Sequence, residues 1–172
     1  VTSPDPAGDD AELIAFAAKG RIITFPPRDA VLRIGNMELL YEIVEGGDRY
    51  ELQKTERSAA PLLIVSSESL SVVRSNLIQL IGVSVRAHLR LRPVALPTAS
   101  SDLPAGFSLD EAASSGVELA WVDDGVRRSA RFRAGGGGTS AAVMLAHYVR
   151  ASESELIAAL LDPGGRPLFR IR

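Results

Sequence analysis

Residues 37–55 constrain the fold of this chain more than any other stretch. In MELLYEIVE, Met37, Leu39, Tyr41 and Ile43 alternate with Glu38, Leu40, Glu42 and Val44. A two-residue period sends successive side chains to opposite faces, as a strand requires and a helix does not. Gly46-Gly47-Asp48 follows, then RYELQKT, so a tight reversal joins two strands into a hairpin. The alternation predicts Tyr41, Ile43, Tyr50 and Leu52 on its buried face, with Glu42 and Glu51 looking outward. A second hairpin is predicted from Val117–Val122 and Val126–Arg133 around Asp124-Gly125, a dipeptide suited to a type I′ turn. With a two-residue turn, Glu118 falls opposite Arg131 and Val117 opposite Phe132, and Arg127, Arg131 and Arg133 share the outward face. Strands joined by tight turns are antiparallel neighbours, so the sheet is largely antiparallel.

The remaining segments fit around these hairpins. Asp9 or Asp10 caps a short helix, Ala11–Lys19, with Leu13, Ile14, Phe16 and Ala17 on its apolar side. Gly20 ends it, as glycine tolerates a left-handed turn. Arg21–Phe25, Val31–Ile34 and Leu62–Val65 read as short strands. Ser66 or Ser67 starts a long helix reaching about Arg90. There Leu70, Val73, Leu77, Leu80 and Ile81 keep the three-to-four spacing of one buried face, and Gly82 is a point where the helix bends or splits. Pro93 and Pro97 bracket an extended stretch to residue 106, and Phe107–Leu109 opens a second sheet segment. Gly135–Gly138 reads as a flexible joint before an apolar helix, Ala141–Val149. Ser152 and Glu155 form a capping box for a last helix, faced by Leu156, Ile157, Leu160 and Leu161. Pro163-Gly164-Gly165 stops it, and Leu168–Ile171 closes as a strand. Hairpin-linked strands with about four helices give an α+β fold, a largely antiparallel sheet built from hairpins and packed with helices. Residues 1–8, with two prolines, form a flexible arm, and residues 9–172 make a single domain of ordinary size.

Reactive groups are scarce. The chain has no cysteine, which removes disulfides and thiolate metal sites. Its two histidines, His88 among arginines at a helix end and His147 in an apolar helix, have no second histidine at ligand spacing, so zinc is not expected. A nucleophilic triad needs a base and an orienting acid, and no local pattern supplies them. Asp123-Asp124 is turn chemistry, since a calcium loop needs more oxygen ligands at regular offsets. The Gly135–Gly138 run continues Thr-Ser without the lysine of a phosphate loop. No catalytic residue, metal or cofactor is expected. A chain so constituted is better suited to binding than to catalysis. No apolar run is long enough to span a membrane, and the acidic start is unlike a signal peptide, so a cytoplasmic protein is expected.

Charge points to a protein partner. The net charge is −2, which gives no drive toward nucleic acid. Residues 1–56 carry 11 acids against 6 bases, whereas the remainder is slightly basic, with arginine clusters at 86–92 and 127–133. The acidic first hairpin could steer a basic protein toward it.

Taken in order, the segments carry a resemblance. MELLYEIVEGGDRYELQKTER is followed by LIVSSESLSVVRSNLIQLIGVSVRA, then Leu96-Pro97 and Gly106–Leu109. A small-residue helix with His147-Tyr148 comes next, then SELIAALLDPGGRPLF. Together they resemble the bacterial polymorphic-toxin immunity-protein family around the immunity factor of the tuberculosis necrotizing toxin. The chain departs from that pattern at Asn76–Gln79 and Leu80–Ile81, where aromatics are expected, and in its Gly135–Gly138 run. The resemblance implies an α+β fold, no enzymatic activity and one task. It is to bind the catalytic domain of a cognate secreted toxin inside the producing cell and to block its active site. The toxin of that system degrades NAD, so a NAD glycohydrolase domain is the implied target. Charge and exposure add the expected partner-binding residues: Glu42, Glu45, Gly46, Gly47, Asp48 and Glu51 on the first hairpin, and Asp123 and Asp124 on the second. No cofactor, nucleic acid or membrane is implied. The same features also suit a chaperone or adaptor for a secreted effector, which would bind away from the active site.

Overall fold

Both hairpins form, and they belong to one sheet. The computed structural model describes residues 10–57, 59–111, 116–134 and 137–172. The arm expected over residues 1–8, the alternative cap Asp9, and Gly135 and Gly136 of the expected joint lie outside the described residues. The chain runs through α1 (Asp10–Ala18), β1 (Ile23–Thr24), β2 (Leu32–Gly35), β3 (Leu39–Gly46), β4 (Arg49–Glu56), β5 (Leu62–Ser67) and α2 (Leu70–His88). It continues through β6 (Val94–Ala95), a 3-10 turn (Ser100–Asp102), β7 (Phe107–Asp110), β8 (Val117–Asp123), β9 (Val126–Phe132), α3 (Gly138–Ala146), α4 (Glu153–Leu161) and β10 (Arg170–Ile171). The main sheet has the order β1-β2-β3-β4-β5-β9-β8-β7, antiparallel throughout, while β10 pairs with β6 apart from it. Two meanders, β1–β5 and β7–β9, are therefore joined where β5 lies against β9. Phe107–Leu109 forms a strand that opens the second meander and lies at the edge of the same sheet.

The expected register holds: Val117 faces Phe132 and Glu118 faces Arg131. Ile43, Leu52, Val65, Phe132 and Val117 form one transverse row through successive pairings, and all five are buried. Each such side chain removed from water contributes about 1.5–3 kcal/mol, so this row is a main seam of the core. α2 packs on it over β4 and β5, and α3 packs over β7, β8 and β9. The opposite face carries Arg33–Glu42 and Glu118–Arg131 cross-strand ion pairs.

Three helices run parallel. Arg74 of α2 donates to both carboxylate oxygens of Glu153 in α4 (2.7 and 2.9 Å) and to Asp10 in α1 (2.5 Å). Farther along α2, Gly82 lies against Leu160 of α4, and Val85 lies against Gly20, just past α1. α2 starts immediately after Ser67, which pairs with Tyr50 near the first hairpin turn. The N-termini of α1, α2 and α4 thus gather at the hairpin end, and their C-termini at the other.

Several local expectations are corrected. Gly20 does not take the left-handed turn; Arg21 does, at φ +57°. Gly20 is needed for space, since a Cβ there would come 2.9 Å from a Val85 methyl. Ile14 is exposed, as is Met37, which precedes β3. Ser66 and Ser67 belong to β5, and Ser69 occupies the cap of α2 without a side-chain cap bond. Gly82 does not split α2, which continues to His88. Gly138 is the first residue of α3, which ends at Ala146 and not at Val149. The closing strand is confined to Arg170–Ile171. The capping box of Ser152 and Glu155 forms as expected.

Candidate functional site at the hairpin end

Both hairpin turns project from one end of the sheet. Ser67 pairs with Tyr50 on one side and with Ala130 on the other. From Tyr50 the chain needs two residues to reach the turn at Asp48; from Ala130 it needs five to reach Gly125. At the rise of an extended chain, the second turn reaches about 10 Å farther. The first turn has Gly47 at φ +72°, which suits a type II′ reversal. In the second, Asp124 and Gly125 both have positive φ, +47° and +77°, as type I′ requires. The base of the second hairpin is braced. Buried Trp121 lies against Phe107 with ring centroids 5.6 Å apart, and the Arg150 guanidinium sits 4.6 Å from the Phe107 centroid.

The structure divides the eight candidate residues. Glu45, Gly46, Gly47, Asp48, Asp123 and Asp124 are exposed at this end. Glu42 and Glu51 are half-buried and already partnered within the chain. Glu42 accepts from Arg33 Nε at 2.6 Å. Glu51 accepts from Gln53 at 3.0 Å and covers Gly46, where a Cβ would lie 2.9 Å from its carboxylate.

Pairing of β5 with β9 sets the acidic hairpin beside the basic strand. Arg131 bonds Glu118 at 2.7 Å. Glu118 raises the Arg131 pKa most, and Glu68 and Asp48 add weaker fields. Arg49 folds back onto the sheet, donating to Glu68 (3.3 Å) and to the Ser66 carbonyl (3.2 Å). Its Nε is buried and has no hydrogen-bond partner among the described residues. The surface is therefore mixed in sign, which neither cluster reveals alone. Also missed from sequence are two exposed apolar side chains, Val122 and Val126, which straddle the second turn. Their only local signal is that flanking position.

The other candidate chemistry is not assembled. His88 is exposed, and His147 Nε2 lies 3.0 Å from the main-chain oxygen of Asp102, so neither histidine has a carboxylate partner among the described residues. The basic segment 86–92 is not one patch, because Arg86 is buried. Among the described residues no group of three or more histidines or acids is placed to hold a metal. No described helix is long and apolar enough to cross a membrane.

Comparison with known proteins places the chain. The sequence signature of the family described as Immunity protein 61 matches residues 16–168. Among solved structures, Rv3902c from M. tuberculosis is similar, with a TM-score of 0.78 and 20% identity over 99% of this chain and 98% of that one. No curated protein matches the sequence. The chain belongs to the Immunity protein 61 family.

Proposed function

We propose that this member of the Immunity protein 61 family is a cytoplasmic antitoxin. It binds the catalytic domain of a cognate secreted toxin, a NAD glycohydrolase, and occludes the active site without catalysing a reaction itself. Residues 9–172 serve as the binding domain, with residues 1–8 as an arm outside it. Family membership over residues 16–168 carries the antitoxin reading. The convergence of two hairpin turns at one end of the sheet supports the choice of surface.

A cleft that holds a dinucleotide is concave and must accommodate the negative charge of its phosphates. A blocking protein needs a convex, partly acidic surface. The longer second hairpin suits the interior, presenting Val122 and Val126 beside Asp123 and Asp124. The first suits the rim, presenting Glu45 and Asp48. Gly46 and Gly47 shape its turn, while Glu42 ties β3 to Arg33 of β2 and Glu51 lies over Gly46. A stable interface buries about 800 Å² on each partner, more than one turn offers, so both hairpins engage. Their bracing lowers the ordering cost of binding.

The test combines Glu45→Lys, Asp48→Lys, Asp123→Lys and Asp124→Asn, the last keeping a residue that tolerates positive φ. NAD cleavage by a purified NAD glycohydrolase toxin domain is measured with increasing immunity protein. Inhibition and affinity should weaken by about a hundredfold or more. Unchanged inhibition and affinity would discard this surface. Tight binding with undiminished NAD cleavage would instead favour the chaperone or adaptor role.

A further inference from the structure

A cavity of about 300 Å³ lies beside the C-terminal half of α2, away from the hairpin turns. Its size is at the lower end for small-molecule sites, and its walls are of the usual kind, mostly apolar with few polar groups. Gln79, Val83 and Ala87 form one stripe of α2 at helical spacing, and Leu91, Val94, Leu96 and Met144 close the other sides.

Gln79 is what ordinary packing does not explain. It lines the cavity and is only 8% exposed. Its side chain makes no hydrogen bond among the described residues. Its amide is not among the side-chain groups sealed from water without a partner, so it is open to the cavity, where a ligand's hydrogen-bonding group can meet it.

The far side of the cavity is cationic. Arg172 contributes to the lining and is held in place by its N–H bond to the Pro93 carbonyl (3.1 Å) and by Arg92, which donates to its carbonyl. The Arg172 side chain has no carboxylate partner among the described residues. Arg86 also lines the cavity, but its guanidinium is engaged by main-chain oxygens. The neighbouring acid, Asp162, accepts from the Arg166 N–H. Gln79 and Ala87 are separated by about 12 Å of helix rise.

We propose that this cavity binds a small bipolar molecule of the ω-hydroxy fatty acid class. An unbranched apolar body fills the stripe, a hydroxyl meets Gln79, and a carboxylate meets Arg172. The site does not rest on the antitoxin reading, because it shares no residue with the hairpin end.

Calorimetric titration of the full chain with ω-hydroxydecanoate, decanoate and decanediol tests it. The hydroxy acid should bind tightest, with each singly altered ligand about tenfold weaker. Gln79→Leu should erase the advantage of the hydroxyl. Arg172→Gln should erase the advantage of the carboxylate together with its salt dependence. Val83→Phe, at a position 58% exposed and so tolerant of bulk, and Ala87→Phe should fill the cavity and abolish binding, with circular dichroism confirming the fold. The proposal is overturned if none of the three ligands saturates, if the hydroxyl preference survives Gln79→Leu, or if both phenylalanine variants bind as well as the parent.

Discussion

The two ends of α2 hold charge in opposite ways. At the C-terminal end Arg86 is 1% exposed, and every direct partner is a main-chain oxygen. Its Nε donates to Arg92 (2.8 Å), Nη1 to Leu160 (2.7 Å) and Asp162 (2.8 Å), and Nη2 to Pro163 (3.2 Å). Three of these oxygens lie at the end of α4, where carbonyls lack helical partners and the dipole favours a cation. Burial pushes the Arg86 pKa down, with Asp162 opposing. At the hairpin end the buried arginine, Arg74, is held instead by the carboxylates of Glu153 and Asp10. Beyond it Asp48, Asp123 and Asp124 stand in solvent beside the surface pairs Arg49–Glu68 and Arg131–Glu118. Moving Arg86 breaks several buried bonds together, whereas moving a surface charge breaks little. The C-terminal end only fixes the fold, whereas the hairpin end adds exposed charges beyond its own buried anchor, Arg74.

Replacing Arg86 should break this contrast most severely. Arg86→Leu leaves the α4 carbonyls without donors and should cost about 3–5 kcal/mol, read from urea unfolding. Arg86→Lys should recover only part of that loss, because an ammonium lacks the planar fork that reaches several oxygens. A leucine variant as stable as the parent would remove the anchor from the comparison.

Gly82→Val addresses the same end through packing. A Cβ at Gly82 already approaches two Leu160 methyls to 2.8 and 3.0 Å. Added bulk must push α4 from α2 and should cost about 1–3 kcal/mol. Thermal melts would check this, and an unchanged midpoint would mean that the contact yields freely.

The hairpin end should respond far less. Asp48→Lys and Asp123→Lys should each change stability by no more than about 0.5 kcal/mol. Glu118→Gln, which breaks the Arg131 pair, should cost under about 1 kcal/mol and lose its effect in high salt. If these variants unfold the protein, the hairpin end is structural, and their effect on toxin inhibition says nothing about contact.

Local patterns made half of this contrast readable in the sequence. Alternation and turn residues gave the hairpins, and the Glu118–Arg131 register followed from the two-residue Asp124-Gly125 turn. What joins the hairpins was hidden, because Ser67 and Ser129 meet across 62 residues through the Ser67 hydroxyl and the Ser129 carbonyl. No local propensity encodes such a pairing. Arg86 was read as part of a surface cluster for the same reason: RAHLRLR shows charge but not which residue turns inward. Gly20 showed a related limit, since a glycine required for close approach looks like one required for a turn.

The contrast recurs at the two ends of α4, where the smallest effect is expected. Arg86 caps its C-terminus with a group that stays charged at any ordinary pH. The N-terminus is capped by Glu155, which accepts from the Ser152 N–H at 2.8 Å and the Ser152 hydroxyl at 2.9 Å. These bonds, the backbone one first, hold the Glu155 carboxyl below its ordinary 4.5. A depressed folded-state pKa stabilises fully above the unfolded value and loses that contribution as pH falls through the folded value. Glu155→Gln can still accept a bond but cannot titrate. The parent should therefore melt slightly higher than Glu155→Gln at neutral pH, and the gap should close as the pH drops from about 6 to about 3. A gap that stays constant over that range would mean that the charge of Glu155 contributes nothing. The hairpin-end cap of α4 would then be as insensitive to pH as the arginine cap at the other end.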